Sequence, residues 1–416
     1  MIKDGKRELC YTVKIDSIEP IIGSDNCEAA VVGGWRIMTR KGIFQPGDLA
    51  VYFEIDSKVP EKEPFEFLAS KHYKIKSQKY TFGGKGNFLS QGLLMSLSDF
   101  PNLFEEDTVS NNGWLWKIKQ YNYSTVEEHQ ALTEILDIKY SVAEDNKRKS
   151  SSKANKYAKM YQRHLKLFKK YKILRKLYNT KLGKKILFIF LGKKRDGYSW
   201  PEWVQKTDEE RCQNLPQLFP GDDTKWIVTE KIDGSSTTFT LKKGKFGKRE
   251  FYVCSRNVCF DKPEKADKCY YDTNIYLEMA DKYNIEEKLN NLIDNFPELD
   301  FVTLQGETYG AGVQKRDYSI EGHDFAAFNL IYGYKNGSRK RINSYIMRNI
   351  LDEYSIPSVP ILEIITLPET CDDLLKYAEG NSQLDGKIRE GIVLRTEDGV
   401  NSFKAVSNEF LIWKGE

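Results

Sequence analysis

Cysteine and histidine are sparse, and neither is arranged for metal work. The seven cysteines stand at positions 10, 27, 212, 254, 259, 269 and 371 with no CxxC pair, and there are four histidines (His72, His129, His164, His323). That argues against a zinc site, suggests no disulfide framework in a chain of this size, and disfavours a histidine-dependent triad. Metal chemistry then falls to carboxylates and a hard divalent ion. Long apolar runs are missing too: Ile186 to Leu191, the longest, is six residues, against the ~20 a membrane helix needs. No signal-peptide pattern opens the chain, because residues 1–6 mix both charges. The expectation is a soluble intracellular protein, cytoplasmic or, if a basic run directs it there, nuclear, with no membrane partner.

What the chain does have is charge, unevenly placed. Between Lys147 and Arg195 lie 19 of the 64 Lys/Arg and none of the 60 Asp/Glu, so the remainder (45 basic, 60 acidic) carries a net −15. An acidic body with a basic insert points to a polyanion partner. At 416 residues, with 40% hydrophobic and 13% aromatic content, two domains or more are expected. The divisions read as 1–123, mostly β; 124–198, helical and strongly basic; and 199–416, mixed.

In the first division, Leu9 to Ile15, Ala29 to Val32, Gly33 to Met38 and Leu49 to Ile55 are strand candidates separated by Gly/Pro turns. Short strands without helical period suggest a small barrel, and one that binds nucleic acid would most often be an OB-fold. The loop His72 to Tyr80 interleaves basic and aromatic residues. It suits phosphate contacts with base stacking, and equally a solvated edge strand. A short helix is expected over Glu127 to Ile138. Apolar residues at helical spacing from Tyr157 to Tyr178 predict a basic amphipathic helix, able to lie on RNA or DNA, an acidic membrane surface or the acidic body itself.

From about 199 the pattern predicts strands near 226–241, 250–255, 300–306, 324–333, 390–396 and 401–406, and helices near 273–295, 342–354 and 369–378. This is α+β, with antiparallel sheets and inserted helices. Its centre is Thr229-Glu230-Lys231-Ile232-Asp233-Gly234-Ser235, between two β-type runs. The seven residues admit two readings: a surface hairpin turned by Asp-Gly, or a nucleophilic lysine on a sheet. A lysine of ordinary pKa, roughly 10.4, leaves only about one amine in a thousand free near neutrality, so the second reading requires a site that depresses it.

Further short motifs follow in order: Ser255-Arg256-Asn257, Gly306-Glu307, the aromatic strand Asp324 to Asn329, Glu390-Gly391-Ile392-Val393 and Phe403-Lys404-Ala405-Val406. This order resembles the covalent nucleotidyltransferases, which comprise polynucleotide ligases and mRNA capping enzymes. The β-rich module stands before the motifs, and only Asn408 to Glu416 follow the last one. With Val32-Gly33-Gly34-Trp35, Val51 to Ser57, Ser90 to Leu93, Lys206 to Asn214 and Phe403 to Asn408, the arrangement is similar to ATP-dependent RNA ligases of the Deinococcus/Naegleria type. The likeness covers about 9–120 and 199–416; the basic insert falls outside it.

The resemblance implies an N-terminal OB-like β-barrel followed by an ATP-grasp-like nucleotidyltransferase domain. It implies ATP and Mg²⁺ or Mn²⁺ as cofactors, and RNA as partner, a nicked duplex or broken strand with or without a DNA splint, bound by a monomer. Lys231 would be the nucleophile. Asp233, Glu307 and Glu390 would serve the metal, through water, with Glu307 an alternative ribose ligand. Arg256 would grip ribose or phosphate, Phe328 would stack on adenine, Glu230 would sit at the adenine edge, and Lys404 would neutralise the α-phosphate. The last motif carries one lysine where relatives often carry two, since Ser402 and Val406 flank Lys404. Lys387 and Arg395 are candidates for the missing charge. A DNA ligase, a capping guanylyltransferase or a non-catalytic RNA-binding protein on the same fold are the alternatives.

Overall fold

The computed structural model describes residues 1–84, 86–107, 115–119, 124–141, 171–180, 183–187, 200–244, 248–260 and 274–415. The N-terminal part includes two three-stranded antiparallel sheets that share a core. One joins β1 (Cys10–Lys14), β5 (Leu49–Phe53) and β8 (Leu93–Ser96); the other joins β2 (Ser17–Pro20), β3 (Cys27–Val32) and β4 (Trp35–Arg40). A hairpin of β6 (Gln78–Thr81) and β7 (Asn87–Ser90) lies beside them. Side chains alternate across a strand, and here both faces are buried. Tyr11, Val13, Ala50 and Tyr52 enter a core shared with Ala30, Val32, Trp35 and Ile37 of the second sheet. Cys10, Val51 and Phe53 enter a separate core with Phe65, Phe100 and Phe104.

Residues 127–138 do not form the expected helix. Their backbone is taken by β1 instead: Thr12 N–H donates to Gln130 O, His129 N–H to Thr12 O and Leu132 N–H to Cys10 O. His129 and Asp137 adopt left-handed φ, which ends any helix there. Of the basic amphipathic helix, Lys172–Tyr178 is helical and residues 157–170 lie outside the described residues.

The second part is two sheets. One has the order β11 (Glu210–Arg211), β21 (Ser402–Val406), β20 (Gly391–Thr396), β12 (Trp226–Lys231), β19 (Ile361–Ile365). The other runs β15 (Cys259–Phe260), β14 (Arg249–Ser255), β13 (Ser235–Lys243), β16 (Leu299–Gly310), β17 (His323–Tyr334), β18 (Arg339–Arg341). All pairings are antiparallel except β11 with β21. Helices α1 (Ile275–Lys282), α2 (Ile285–Asn295) and α3 (Ser344–Glu353) cover the six-stranded sheet, burying Met279, Leu289, Leu292 and Met347 against Phe239, Leu304 and Phe325. Each such buried side chain contributes roughly 1.5–3 kcal/mol of transfer free energy. The single helix expected over 273–295 is broken because Asn284 takes φ 48°. Helix α4 (Cys371–Ala378) packs Leu374 and Leu375 on the five-stranded sheet, and α5 (Asn408–Lys414) ends the described chain.

The two parts touch where β11 emerges. Arg7 lies 3.7 Å from Glu210, Arg36 3.1 Å from Asp372, and the Arg211 guanidinium 5.9 Å from the centre of the Trp35 ring. Leu89 of β7 joins Val406 and Leu411 in a small shared core.

Candidate active site

The two β-runs around Lys231 do not form a hairpin. β12 pairs with β19 and β20 in one sheet, while β13 pairs with β14 and β16 in the other, so Ile232-Asp233-Gly234 is the crossing between sheets. The crossing is tight: a Cβ on Gly234 would lie 2.4 Å from Thr308 O, which only glycine avoids. The Asp233 N–H donates to Tyr318 Oη at 2.6 Å, fixing the turn from the opposite loop.

This crossing brings the sheets together over a cavity of about 300 Å³. Six of the eight expected residues line it: Glu230, Lys231, Arg256, Glu307, Phe328 and Lys404. The other two sit at its edge. Glu390 Oε2 is 2.7 Å from Lys231 Nζ, and Asp233 Oδ1 accepts from Lys414 Nζ at 3.0 Å. Lys231 and Glu390 are brought together by register, for Lys231 pairs directly with Gly391.

Phe328 reaches the cavity through an irregularity. On β16 and β17, Gln305 pairs with Asn329 but Gly306 pairs with Ala327, so Phe328 is the extra residue of a bulge. A bulge re-aims a side chain. Ala327 and Leu330 face the core, while Phe328 packs toward Ile232 and Val359.

Burial lowers the Lys231 pKa, but the Glu390, Glu307 and Asp233 carboxylates outweigh it and hold it above its usual value. The expectation of a depressed lysine is therefore not met: Lys231 is a charged ion-pair member. Glu307 shows the converse. Burial above all, and the charges of Glu390 and Asp233, push its carboxyl up to about 8 against the pull of Lys231. Burial also raises Glu390. For Lys404, burial and the Lys231 charge lower the pKa.

Glu230 lines the cavity while its carboxylate is bonded elsewhere. Its carboxylate accepts from Ser382 Oγ and from Gln383 N–H (2.8 Å for the latter), which leaves the cavity to the rest of the residue. Arg256 and Lys404 both approach Asp208, at 2.8 and 3.8 Å. An exposed carboxylate between two cations is a contact that an anionic substrate would displace. Of the two proposed substitutes for a second lysine, Arg395 lines the cavity and Lys387 does not. Arg395 donates to Glu209 Oε1 and Thr229 Oγ1, both at 3.3 Å, and its guanidinium is 5.8 Å from the Phe328 ring centre. Burial lowers its pKa to about 10. Sequence reasoning missed Asp208 and Lys414; the latter is unremarkable until α5 folds back and carries it to Asp233.

Asp233 Oδ2 is a buried acceptor with no hydrogen-bond donor, and the surrounding donors are carboxylate oxygens, which suit Mg²⁺ or Mn²⁺. Among the described residues no three carboxylate, histidine or cysteine groups are gathered closely enough to hold an ion directly. Water between ion and carboxylates is compatible with that spacing.

Two sheets thus face each other across a lysine–carboxylate cavity, with a β-rich module in front. Residues 224–406 match the family model described as RNA ligase, and residues 9–97 match an OB-fold domain model. The former stretch is an RNA ligase domain, the latter an OB-fold domain, and the protein is a ligase. Among solved structures, a Naegleria gruberi RNA ligase mutant with ATP and Mn is 24% identical, covering 99% of this chain and 100% of that one at TM-score 0.60. An apo mutant of the same ligase is 25% identical over 97% of each chain at TM-score 0.59. The complex with PPi is 24% identical over 98% of each at 0.58. A search of curated proteins finds no match.

Proposed function

We propose that the protein is an ATP-dependent RNA ligase that joins 5′-phosphate and 3′-OH ends, at nicks in duplex RNA, through an AMP group carried on Lys231. The observation that supports this most is the meeting of Lys231 with Glu390, Glu307, Arg256, Phe328 and Lys404 around one cavity. The known partners of the Naegleria gruberi ligase, ATP, Mn and PPi, agree with it.

The residues divide the work as follows. The Lys231 amine, once deprotonated, attacks the α-phosphorus of ATP; a P–N bond forms, the α–β bridging P–O bond breaks and pyrophosphate leaves with the electron pair. An RNA 5′-phosphate oxygen then displaces the lysine nitrogen, which recovers a proton, and the capped end is attacked by a 3′-OH with release of AMP. Phe328 stacks on the adenine and Arg256 holds ribose or phosphate in place of Asp208. Lys404 meets the charge that develops on the α-phosphate. Asp233, Glu307 and Glu390 would hold a divalent ion through water, which supplies Lewis-acid neutralisation of phosphate charge. Burial and the neighbouring Lys404 charge both favour the free amine at Lys231. No helix among the described residues is long and apolar enough to cross a membrane.

The test is sealing of nicked duplexes with each strand varied between RNA and DNA, with ATP or GTP. The reading expects ATP-dependent sealing of RNA nicks. Sealing of DNA alone, or labelling by GTP alone, would replace it with a DNA ligase or a capping enzyme.

A further inference from the structure

At the C-terminal end of α5 is a cleft of about 410 Å³ lined by Lys315, Arg316, Asp317, Lys387, Ile388 and Trp413. It is separate from the catalytic cavity but one residue removed from it, because Lys414 reaches from α5 to Asp233 at 3.0 Å. Trp413 leaves 48% of its surface in water, an expensive exposure for an indole, and is braced from behind by Phe410 with ring centres 5.5 Å apart.

The cleft's charges are lopsided. Arg316 is paired with buried Asp385, leaving Lys315 and Lys387 against Asp317. A further lysine comes from the OB-fold domain: Lys79 Nζ donates to Ile412 O at 2.8 Å, and Lys315 Nζ donates to Lys414 O. Both ammonium groups lie within 4 Å of one point, 3.7 and 3.9 Å from where a Cβ on Gly415 would stand. Cations at a helix C-terminus are favourable, which accounts for Lys79 and Lys315 singly. It does not account for two like charges converging there, nor for Lys387 or the open indole.

We propose that this cleft binds one strand of the RNA substrate near the break. An unstacked base lies on Trp413, and flanking phosphates are neutralised by Lys315 and Lys387 in the ligase domain and Lys79 in the OB-fold domain. The proposal rests on the ligase reading for its choice of RNA. An indole face takes a base only where that base has left the duplex stack, so the strand here is single or frayed. Because Lys79 and Lys315 belong to different domains, the same strand ties the two domains together.

Trp413→Ala, Trp413→Phe and Lys387→Ala are compared with the wild-type chain by anisotropy of a short fluorescent single-stranded RNA across a salt series, alongside labelling by ATP without RNA and thermal melting. Trp413→Ala is expected to weaken RNA binding about tenfold, Trp413→Phe to restore most of it, and Lys387→Ala to flatten the salt dependence by about 0.7 in slope. Labelling by ATP and melting should stay at wild-type level. RNA affinity of Trp413→Ala within about twofold of wild type, or equal loss of RNA binding and RNA-free labelling, overturns the site. Loss of RNA binding in Trp413→Ala, in a protein whose wild type never takes a label from ATP, would keep the site and sink the ligase reading.

Discussion

The two sheets that face the cavity contribute different sets of side chains. The five-stranded sheet supplies the cations Lys231, Arg395 and Lys404 on three adjacent strands, with Glu390 at the head of β20. The six-stranded sheet supplies Glu307 from β16, the Phe328 ring from β17 and Arg256 just beyond β14. Each sheet has its own apolar core, so each holds its half of the site without the other. The three-residue crossing at Ile232-Asp233-Gly234 joins them, and Arg341, which donates to Ser402 Oγ at 3.0 Å, ties them again at another point. The difference shows where chemistry is controlled: the five-stranded sheet carries the nucleophile together with its nearest carboxylate, Glu390, and the six-stranded sheet adds Glu307, Phe328 and Arg256 from across the cavity. The carboxylates outweigh burial, and Lys231 is held as a charged partner of Glu390.

Breaking the cationic sheet should have the largest effect. Lys231→Ala is expected to abolish labelling by ATP, a loss of at least ~10³-fold, while a preformed AMP-capped RNA end is still joined. Lys404→Ala should slow labelling by roughly 10²- to 10³-fold, measured as single-turnover adduct formation. Changes on the opposite sheet should be milder. Phe328→Ala is expected to raise KM for ATP by up to about tenfold with kcat little altered. The smallest effect is on stability. Glu307 is raised to about 8 in the fold, so the folded chain binds that proton more tightly than the unfolded chain. Its stabilising contribution is full below the ordinary carboxylate range and is lost as pH rises through about 8. Glu307→Gln removes the loss. The melting temperature of the variant should gain on wild type by a few degrees between acid and mildly alkaline pH, and the gain should level off above that range.

Much of this site was legible because its residues stand beside glycines, where short motifs survive: Lys231 before Asp233-Gly234, Glu307 after Gly306, Glu390 before Gly391. The strands around them are also apolar enough to read directly. What was not legible depends on pairing between distant segments. Residues 127–138 look helical but give their backbone to β1. The run around Lys231 looks like a hairpin but divides between sheets. Phe328 owes its aim to a one-residue bulge, and the Glu230 carboxylate is captured by Ser382 and Gln383, 152 and 153 residues away. Lys414 reaches Asp233 only because α5 turns back. No local period announces any of these.

The central claim is that Lys231 is the nucleophile for ATP. Incubation with labelled ATP and a divalent ion, followed by denaturation, digestion and mass mapping of the label, tests it most directly. The account predicts one AMP, in phosphoramidate linkage, on the peptide carrying Lys231, and none with GTP. A label on another residue, or no covalent label under conditions where the protein seals RNA, would contradict it.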